Sequence, residues 1–223
     1  MNNRGIDVLV NNAGISYFKS AEDLSIDDWK LSFDTNFFGM LRVVKALLPF
    51  MRSRKAGQII NTSTLAAFIS IPFQSHYSAS KAAVKVFTEG LRIELKQFNI
   101  KVSSIIPSDI NTDFNINMLN LSETNKQELF STDISQMLET TPTEKDSPYY
   151  EAVKRVWKVV VKNLIVSPPP LVVSKKIAKI MTKKKPKVNY KSGSLAQIFL
   201  VYLIRRIVSD EFTDWLLPKY YGL

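Results

Sequence analysis

The chain of 223 residues contains no cysteine, one histidine and only seven glycines, and its formal net charge is +10 at pH 7. The missing cysteines exclude a disulfide scaffold, an iron–sulfur site and a thiolate zinc site, and one histidine cannot supply an imidazole cluster, so we predict no bound metal. Chemistry must therefore use hydroxyls, amines, amides, carboxylates or an organic cofactor.

Predicted strands and helices alternate along the first half of the chain. Three short runs rich in β-branched residues are typical of buried strands, and they lie at residues 6–10, 58–61 and 101–106. Apolar residues recur at helical spacing between them, over residues 25–48 and 77–97. Strands separated by helices of this length predict crossover connections and a parallel sheet, so the fold class is α/β.

The second half begins with a polar stretch and ends in helices. Residues 108–148 show little pattern and are long enough to form a lid over a site. Helical periodicity returns at residues 150–164, and the three prolines at 168–170 start another helix. We predict a last strand at residues 187–190 and a helical C-terminal segment over 194–223, with a helix at Ser194 to Val208. No linker is evident, so 1–223 is expected to form one domain.

The positive charge is concentrated in residues 151–200, where 12 lysines and arginines face one acidic residue. Such a run is usually a solvated face. The next interpretation is attraction to anionic lipid headgroups, because an apolar helix follows, and this gives peripheral membrane contact. Nucleic-acid binding ranks third, since no recognisable nucleic-acid-binding motif accompanies the charge, and we predict no nucleic-acid partner.

The expected location of the protein in the cell follows from the N-terminal residues and from one late apolar run. The N-terminal residues lack the apolar run of a secretory signal, which predicts a cytoplasmic protein. The late apolar run at 198–204 is far shorter than the roughly 20 residues needed to cross a bilayer. It could lie on a membrane surface.

The strongest local signal is Tyr77-Ser78-Ala79-Ser80-Lys81 at the start of a predicted helix. Residues at i and i+4 share a helix face, so the ammonium of Lys81 can approach the phenol of Tyr77. A nearby cation favours the ionised phenol, whose pKa is ordinarily about 10, and would lower that pKa toward neutrality. The pair then becomes a usable acid and base.

Together with other motifs, this pair resembles the short-chain dehydrogenase/reductase family. The matching motifs, in the family's order and spacing, are Asn11-Asn12-Ala13-Gly14, Asn36, Ser63-Thr64, Tyr77 to Lys81, and Pro107-Ser108-Asp109-Ile110-Asn111-Thr112. The resemblance implies a Rossmann-like doubly wound sheet that begins at the family's fourth strand. The Gly-rich cofactor-binding turn of that family would then precede Met1, which would explain the low glycine count.

The resemblance also implies a role for each catalytic position. Tyr77 would be the general acid that protonates the substrate oxygen as hydride arrives, or the base in the reverse direction. Lys81 would lower the pKa of Tyr77 and bind the nicotinamide ribose. Asn36 would interrupt its helix and hold a water that links Lys81 to solvent. Thr64 stands where the family has a substrate-orienting serine, and Ser63 could replace it if the strand end is rotated.

The implied cofactor is NAD or NADP, with NADP slightly favoured. The positions that would bind it are Asn12, Ala13, Gly14, Tyr77, Lys81, Pro107, Ile110 and Thr112. Ser108 stands where the family usually has glycine, which restricts the backbone there. Two neighbouring features are set aside: His76 is a weak candidate base because it points elsewhere on the helix, and Asp109, Asn111 and Asp113 lack the remaining residues of a calcium loop.

The C-terminal stretch is similar to family members that act on steroids, retinoids and other lipophilic alcohols or carbonyls. We therefore expect an NAD(P)-dependent oxidoreductase with a lipophilic substrate, and a homo-oligomer formed through the helices that carry Asn36 and Tyr77. The alternative is a remnant that cannot bind cofactor, or an interaction protein associated with a membrane surface. The retained Asn36, Tyr77 and Lys81 do not separate the two.

Overall fold

In a computed structural model that describes residues 5–118 and 134–223, the strands form a parallel sheet of four. The strands are β1 (Val8–Asn11), β2 (Gly57–Thr62), β3 (Ile100–Pro107) and β4 (Asn189–Ser192). They are ordered β1-β2-β3-β4, with Leu9 opposite Ile59 and Ile59 opposite Val102. The predicted α/β class with a parallel sheet is therefore confirmed.

Helices connect these strands and follow the last one. They are α1 (Ile26–Phe33), α2 (Met40–Arg54), α3 (Ser75–Glu94), α4 (Tyr150–Ile165), α5 (Leu171–Met181), α6 (Leu195–Ile207) and α7 (Asp210–Tyr221). Ser25, Ser194 and Ser209 cap the N-termini of α1, α6 and α7, each accepting a hydrogen bond from a backbone N–H three residues later.

The predicted single helix at residues 25–48 is interrupted. A π-helical segment, Asp34–Gly39, joins α1 to α2, and Asn36 lies within it. Because one extra residue in a helical turn rotates everything that follows, the segment changes the face that the chain presents to the core. This interruption was expected at Asn36 from the family resemblance and could not be read from the apolar periodicity, which continues through it.

The last strand begins two residues later than predicted, at Asn189 instead of 187. The chain bends at residue 188, and just before it the backbone N–H of Lys187 donates to the Tyr190 hydroxyl at 2.8 Å. The ladder then pairs Ser104 with Asn189 and continues to Pro107 and Ser192. The predicted C-terminal helices are present as α6 and α7.

The sheet is buried on both faces, which explains its continuous apolar runs. Ile59 and Val102 pack against α2 and α3, in a cluster with Val44 and Val84. The neighbouring Ile60 packs on the opposite face, against α5. Alternate strand residues thus serve two helical layers, and the carboxyl ends of the strands stay open for a site.

The predicted lid at 108–148 falls partly outside the described residues, which omit 119–133. The described parts are a turn that ends in a short 3₁₀ helix, Ile116–Met118, and a second 3₁₀ helix, Ile134–Glu139. Met137 is fully buried and its carbonyl accepts a hydrogen bond from the indole of Trp157 at 2.8 Å. Among the helices of the described ranges, none combines the length and apolar character needed to cross a bilayer.

Candidate active site

A cavity of about 460 Å³ opens at the carboxyl ends of β1, β2 and β3. Asn12 follows β1, Thr64 follows β2, and Ser108 follows β3, so three neighbouring strands deliver polar groups to one place. The carboxyl ends of parallel strands are the usual ligand site of open α/β sheets, because the connecting loops converge there.

Tyr77 lies in the first turn of α3 and faces this cavity. Its ring packs at 45° against Phe114, with 5.6 Å between ring centroids. Burial raises the pKa of the phenol, a hydrogen bond with the Thr64 side chain lowers it in part, and the charge of Asp109 raises it further. The phenol is therefore protonated at neutral pH and can act as a proton donor.

Lys81 lies one helical turn after Tyr77, and its ammonium is 5.8 Å from the centroid of the Tyr77 ring. Its Nζ donates to the carbonyl of Thr62 at 3.0 Å, and burial lowers the pKa of Lys81 to about 8. We expected Lys81 to lower the pKa of Tyr77, and in this structure the pKa is raised instead. The ammonium of Lys81 is bonded to the carbonyl of Thr62, so burial is the main influence on the pKa of Tyr77.

Asn36 is buried, and its side-chain amide is fully engaged. Its Oδ1 accepts from the backbone N–H of Ile15 at 2.8 Å, and its Nδ2 donates to the carbonyl of Ile15 at 2.9 Å and to Ser80 Oγ at 3.0 Å. These bonds fix the loop after β1 to the helix that carries Tyr77. The expected role in holding a water near Lys81 stays a prediction.

Gly14 lies between Asn36 and Lys81 and leaves space that a side chain would fill. A Cβ at this position would come within 3.2 Å of both Asn36 Oδ1 and Lys81 Nζ. The cavity lining includes seven of the eight predicted cofactor residues: Asn12, Gly14, Tyr77, Lys81, Pro107, Ile110 and Thr112. The eighth, Ala13, lines an adjoining depression together with Asn36 and Lys81. The predicted cofactor-binding residues therefore lie together around one cavity and its adjoining depression.

The structure also distinguishes the alternatives left open by the sequence. Ser63 is buried and its hydroxyl donates to the carbonyl of Lys81 at 3.0 Å, which leaves Thr64 as the hydroxyl beside Tyr77. His76 Nε2 accepts from the backbone N–H of Tyr17 at 3.1 Å, and burial lowers the pKa of His76 to about 4. His76 is therefore a neutral packing residue and does not line the cavity.

Ser108 is accommodated by a glycine far away in the sequence. Its backbone φ lies outside the left-handed region, so a serine fits there without strain. Its Oγ accepts from the backbone N–H of Ser194 at 2.8 Å, and a Cβ at Gly193 would lie 2.1 Å from that oxygen. Gly193 has φ +113°, which favours glycine for a second reason.

Sequence reasoning missed one side chain of the cavity, Asp109, because it was weighed only as part of a calcium loop. Its carboxylate lines the cavity and accepts a hydrogen bond from Gln197 Nε2 at 2.7 Å. The two residues are 88 positions apart, so no local pattern could have paired them. Burial raises the pKa of Asp109, and the Gln197 hydrogen bond opposes this shift.

Comparison of the sequence with known proteins finds dehydrogenases and reductases. The family model described as short chain dehydrogenase matches residues 2–122. The chain is 34% identical over 218 residues to a 3-ketodihydrosphingosine reductase of Bacteroides thetaiotaomicron, covering 98% of this chain and 74% of that protein. It is 44% identical over 109 residues to human retinol dehydrogenase 8, covering 49% of this chain and 35% of that protein.

The fold also matches a solved structure. Serine dehydrogenase in its closed form complexed with NADP+ superposes with a TM-score of 0.64 at 25% identity, and the match covers 86% of this chain and 66% of that one. The chain therefore spans between about a third and three quarters of the proteins it matches.

Proposed function

The chain belongs to the short-chain dehydrogenase/reductase family of oxidoreductases, and from this premise we propose that it interconverts a lipophilic alcohol and its ketone or aldehyde with NAD or NADP. The observation that carries the proposal is the convergence of Thr64, Tyr77 and Lys81 on one cavity, with Asn36 behind them. NADP is slightly favoured, and serine dehydrogenase, a structural neighbour, was solved with NADP+.

In the proposed reaction, each side chain has a separate task. A bound nicotinamide cofactor supplies or accepts the hydride. Tyr77 donates the phenolic proton to the substrate oxygen during reduction and recovers it in the reverse direction. The Thr64 hydroxyl orients the same oxygen. Lys81 keeps a positive charge at neutral pH, because its pKa of about 8 lies above 7, and its ammonium binds the nicotinamide ribose.

A lipophilic substrate is supported by the part of the cavity beyond Tyr77. The lining there is apolar and includes Ile71, Phe114, Met118, Val160 and Leu164. Burying hydrocarbon against apolar walls removes it from water, and this stabilises the complex by roughly 25 cal/mol per Å² of apolar surface buried. The relatives include proteins named for 3-ketodihydrosphingosine and for retinol.

The test is replacement of Tyr77. We expect Tyr77→Phe to reduce kcat at least about 100-fold, because a positioned general acid contributes roughly 10²–10⁴. Cofactor affinity, measured by fluorescence titration with NADPH, should stay within about threefold. Tyr150→Phe removes a hydroxyl outside the cavity and serves as the matched control. Near-normal turnover of Tyr77→Phe would remove this residue as the acid.

The competing interpretation is an interaction protein that does not bind cofactor. Titration of the chain with NADH and NADPH separates the two. Binding of either nucleotide that is weakened by Gly14→Val supports the enzyme, because the valine side chain would enter the space beside Lys81 and Asn36. Absence of binding to both nucleotides rejects the proposed activity for this chain.

We also propose a homo-oligomer formed through α2 and α3. Several apolar side chains on these helices are exposed, among them Phe50 at 64% and Ile93 at 77%. Exposed apolar side chains grouped on neighbouring helices are typical of subunit contacts. Sedimentation analysis of Ile93→Glu should show a lower molecular mass than the unaltered chain, and equal masses would contradict this contact.

Peripheral membrane contact through residues 151–200 is proposed on the basis of charge and exposure. Lys183, Lys184 and Lys185 are exposed, and Leu195 and Phe199 on α6 are 82% and 69% exposed. Basic and apolar groups side by side suit an anionic lipid surface. Cosedimentation with phosphatidylserine vesicles should exceed that with phosphatidylcholine, and replacing the three lysines by glutamate should abolish the difference.

A further inference from the structure

The cavity contains an unusual wall residue, the carboxylate of Asp109. Among the described residues that line the cavity, only Asp109 and Lys81 carry a charge. The ammonium of Lys81 is already bonded to the carbonyl of Thr62 at 3.0 Å. The rest of the lining consists of neutral polar and apolar groups, so Asp109 is the single anionic group offered to a ligand by the described lining.

Half of the Asp109 carboxylate is held in place. Gln197 Nε2 donates to Oδ2 at 2.7 Å, and Gln197 Oε1 accepts from the backbone N–H of Asp109 at 3.2 Å. These two bonds fix the carboxylate against the first turn of α6. The other oxygen, Oδ1, makes no hydrogen bond or ion pair with any residue in 5–118 or 134–223.

An anion in this position lacks a counter-charge from the described protein. The titratable groups whose pKa values respond to its charge are Tyr77 and Tyr221, and both are phenols whose pKa values it raises. Asp109 is half-buried, and a partly desolvated carboxylate without a cationic partner is costly. A ligand that brought a cation to Oδ1 would remove that cost and would form a charge-assisted hydrogen bond.

We propose that Asp109 binds the ammonium group of a substrate that carries an amine near its reacting alcohol or carbonyl carbon, with its hydrocarbon chain in the apolar part of the cavity. This inference rests on the proposed function, because it uses the same cavity and the same reacting oxygen at Tyr77. It makes Asp109 the residue that selects amino alcohols and amino ketones over neutral lipids.

The proposal has a second consequence inside the site. The charge of Asp109 raises the pKa of Tyr77, so an ammonium that neutralises Asp109 lowers that pKa and makes the phenol a better proton donor. A cationic substrate would thus favour proton transfer from Tyr77 to its own reacting oxygen, whereas a neutral substrate would not. Selectivity for the amine should therefore appear in kcat as well as in KM.

The experiment compares the binding of octylamine and octan-1-ol by calorimetry, each below its aggregation limit. We expect the unaltered chain to bind octylamine at least about tenfold more tightly than octan-1-ol, and Asp109→Asn to lose this preference. Asparagine keeps the shape and the hydrogen bond to Gln197. The matched control is Asp113→Asn, which removes the same charge from an exposed position outside the cavity and should keep the preference.

Each outcome decides the matter. Equal binding of the two probes by the unaltered chain overturns the proposal, and so does an equal loss of both probes in Asp109→Asn, which would indicate only a structural pairing with Gln197. Non-specific adsorption of the amine is disfavoured by the net charge of +10 and would appear equally in all variants. Because binding needs no cofactor, selective binding without turnover would reject the proposed activity and keep the inference.

Kinetics then extends the test to the reaction. The ratio of kcat/KM for a long-chain 2-amino ketone to that for the ketone without the amine should fall at least about tenfold in Asp109→Asn. Asp113→Asn should leave the ratio unchanged. Turnover of both ketones with no change in the ratio would support the oxidoreductase and overturn the role of Asp109.

Discussion

The two walls of the cavity use their polar groups in different ways. The first wall, formed by residues 12–14 and 77–81 with Asn36 behind them, contains a hydrogen-bond network in which Asn36 makes bonds to Ile15, Ser32 and Ser80. The second wall is formed by the cavity-lining residues of 107–118 and α4, which are mainly apolar and include one carboxylate, that of Asp109.

The difference between the walls separates chemistry from recognition. Groups that move a proton must be held in one geometry, and engaged hydrogen bonds provide this. Groups that recognise hydrocarbon need only volume and shape, and apolar packing tolerates change when volume is kept. The first wall should therefore be sensitive to the loss of polar groups, and the second wall, apart from Asp109, should be sensitive only to the loss of volume.

The largest expected effect is a loss of volume behind the second wall. Trp157 is fully buried, lies 4.9 Å from Phe18 between ring centroids, and donates to the carbonyl of Met137. We expect Trp157→Ala to lower the free energy of unfolding by about 3–5 kcal/mol in urea denaturation. Trp215→Ala is the control, since this residue is 54% exposed, and should cost under about 1 kcal/mol. Equal losses would contradict the picture of the second wall.

The next prediction contrasts the walls directly with two replacements of similar volume. Asn36→Leu leaves the N–H and carbonyl of Ile15 without their partners and should cost about 2–4 kcal/mol. Leu164→Met in the second wall keeps volume and polarity and should cost less than about 1.5 kcal/mol. If the two variants unfold at the same urea concentration, the distinction between the walls fails.

A pH-dependent effect is expected behind the first wall. His76 has a pKa of about 4 in the folded protein, below its ordinary value of 6.5, so the unfolded chain takes up the proton first as the pH falls. Its contribution to stability is complete above pH 6.5 and is lost toward pH 4, by about 2 kcal/mol between pH 7 and pH 5.

The measurement compares urea denaturation of the unaltered chain and of His76→Asn at both pH values. The variant should lose less stability on acidification than the unaltered chain, by the amount assigned to the histidine. The same pH dependence in both proteins would show that other groups account for the acid sensitivity.

The smallest effect concerns the methyl group of Thr64. Thr64→Ser keeps the hydroxyl beside Tyr77, so kcat/KM for a small ketone should change by less than about threefold. Thr64→Val keeps the shape and removes the hydroxyl, and should lower kcat/KM at least about tenfold. A similar loss in both variants would mean that the methyl group, and not the hydroxyl, positions the substrate.

The sequence predicted the parts of this molecule that depend on local spacing. The i, i+4 relation placed Tyr77 and Lys81 on one helix face, and β-branched runs located β1, β2 and β3 to within about two residues. It did not predict the raised pKa of Tyr77, because desolvation depends on residues such as Phe114 that enclose the phenol only in the folded chain.

Contacts between distant segments could also not be predicted from the sequence. Asp109 with Gln197 and Ser108 with Gly193 join residues more than 80 positions apart, and neither pair has a local signature. The π-helical segment at Asn36 was accessible only through resemblance, since apolar spacing continues across it. The spacing of residues therefore located Tyr77 and its helix, whereas the contacts of Asp109 could be found only in the folded chain.

The contacts of Ser108 and Asp109 with the start of α6 have a mechanical consequence. The backbone N–H of Ser194 donates to Ser108 Oγ at 2.8 Å, and Gln197 Nε2 donates to Asp109 Oδ2 at 2.7 Å. These two hydrogen bonds attach the start of α6 to the cavity wall. A displacement of the first turn of α6 would therefore also displace Ser108 and Asp109, which line the cavity.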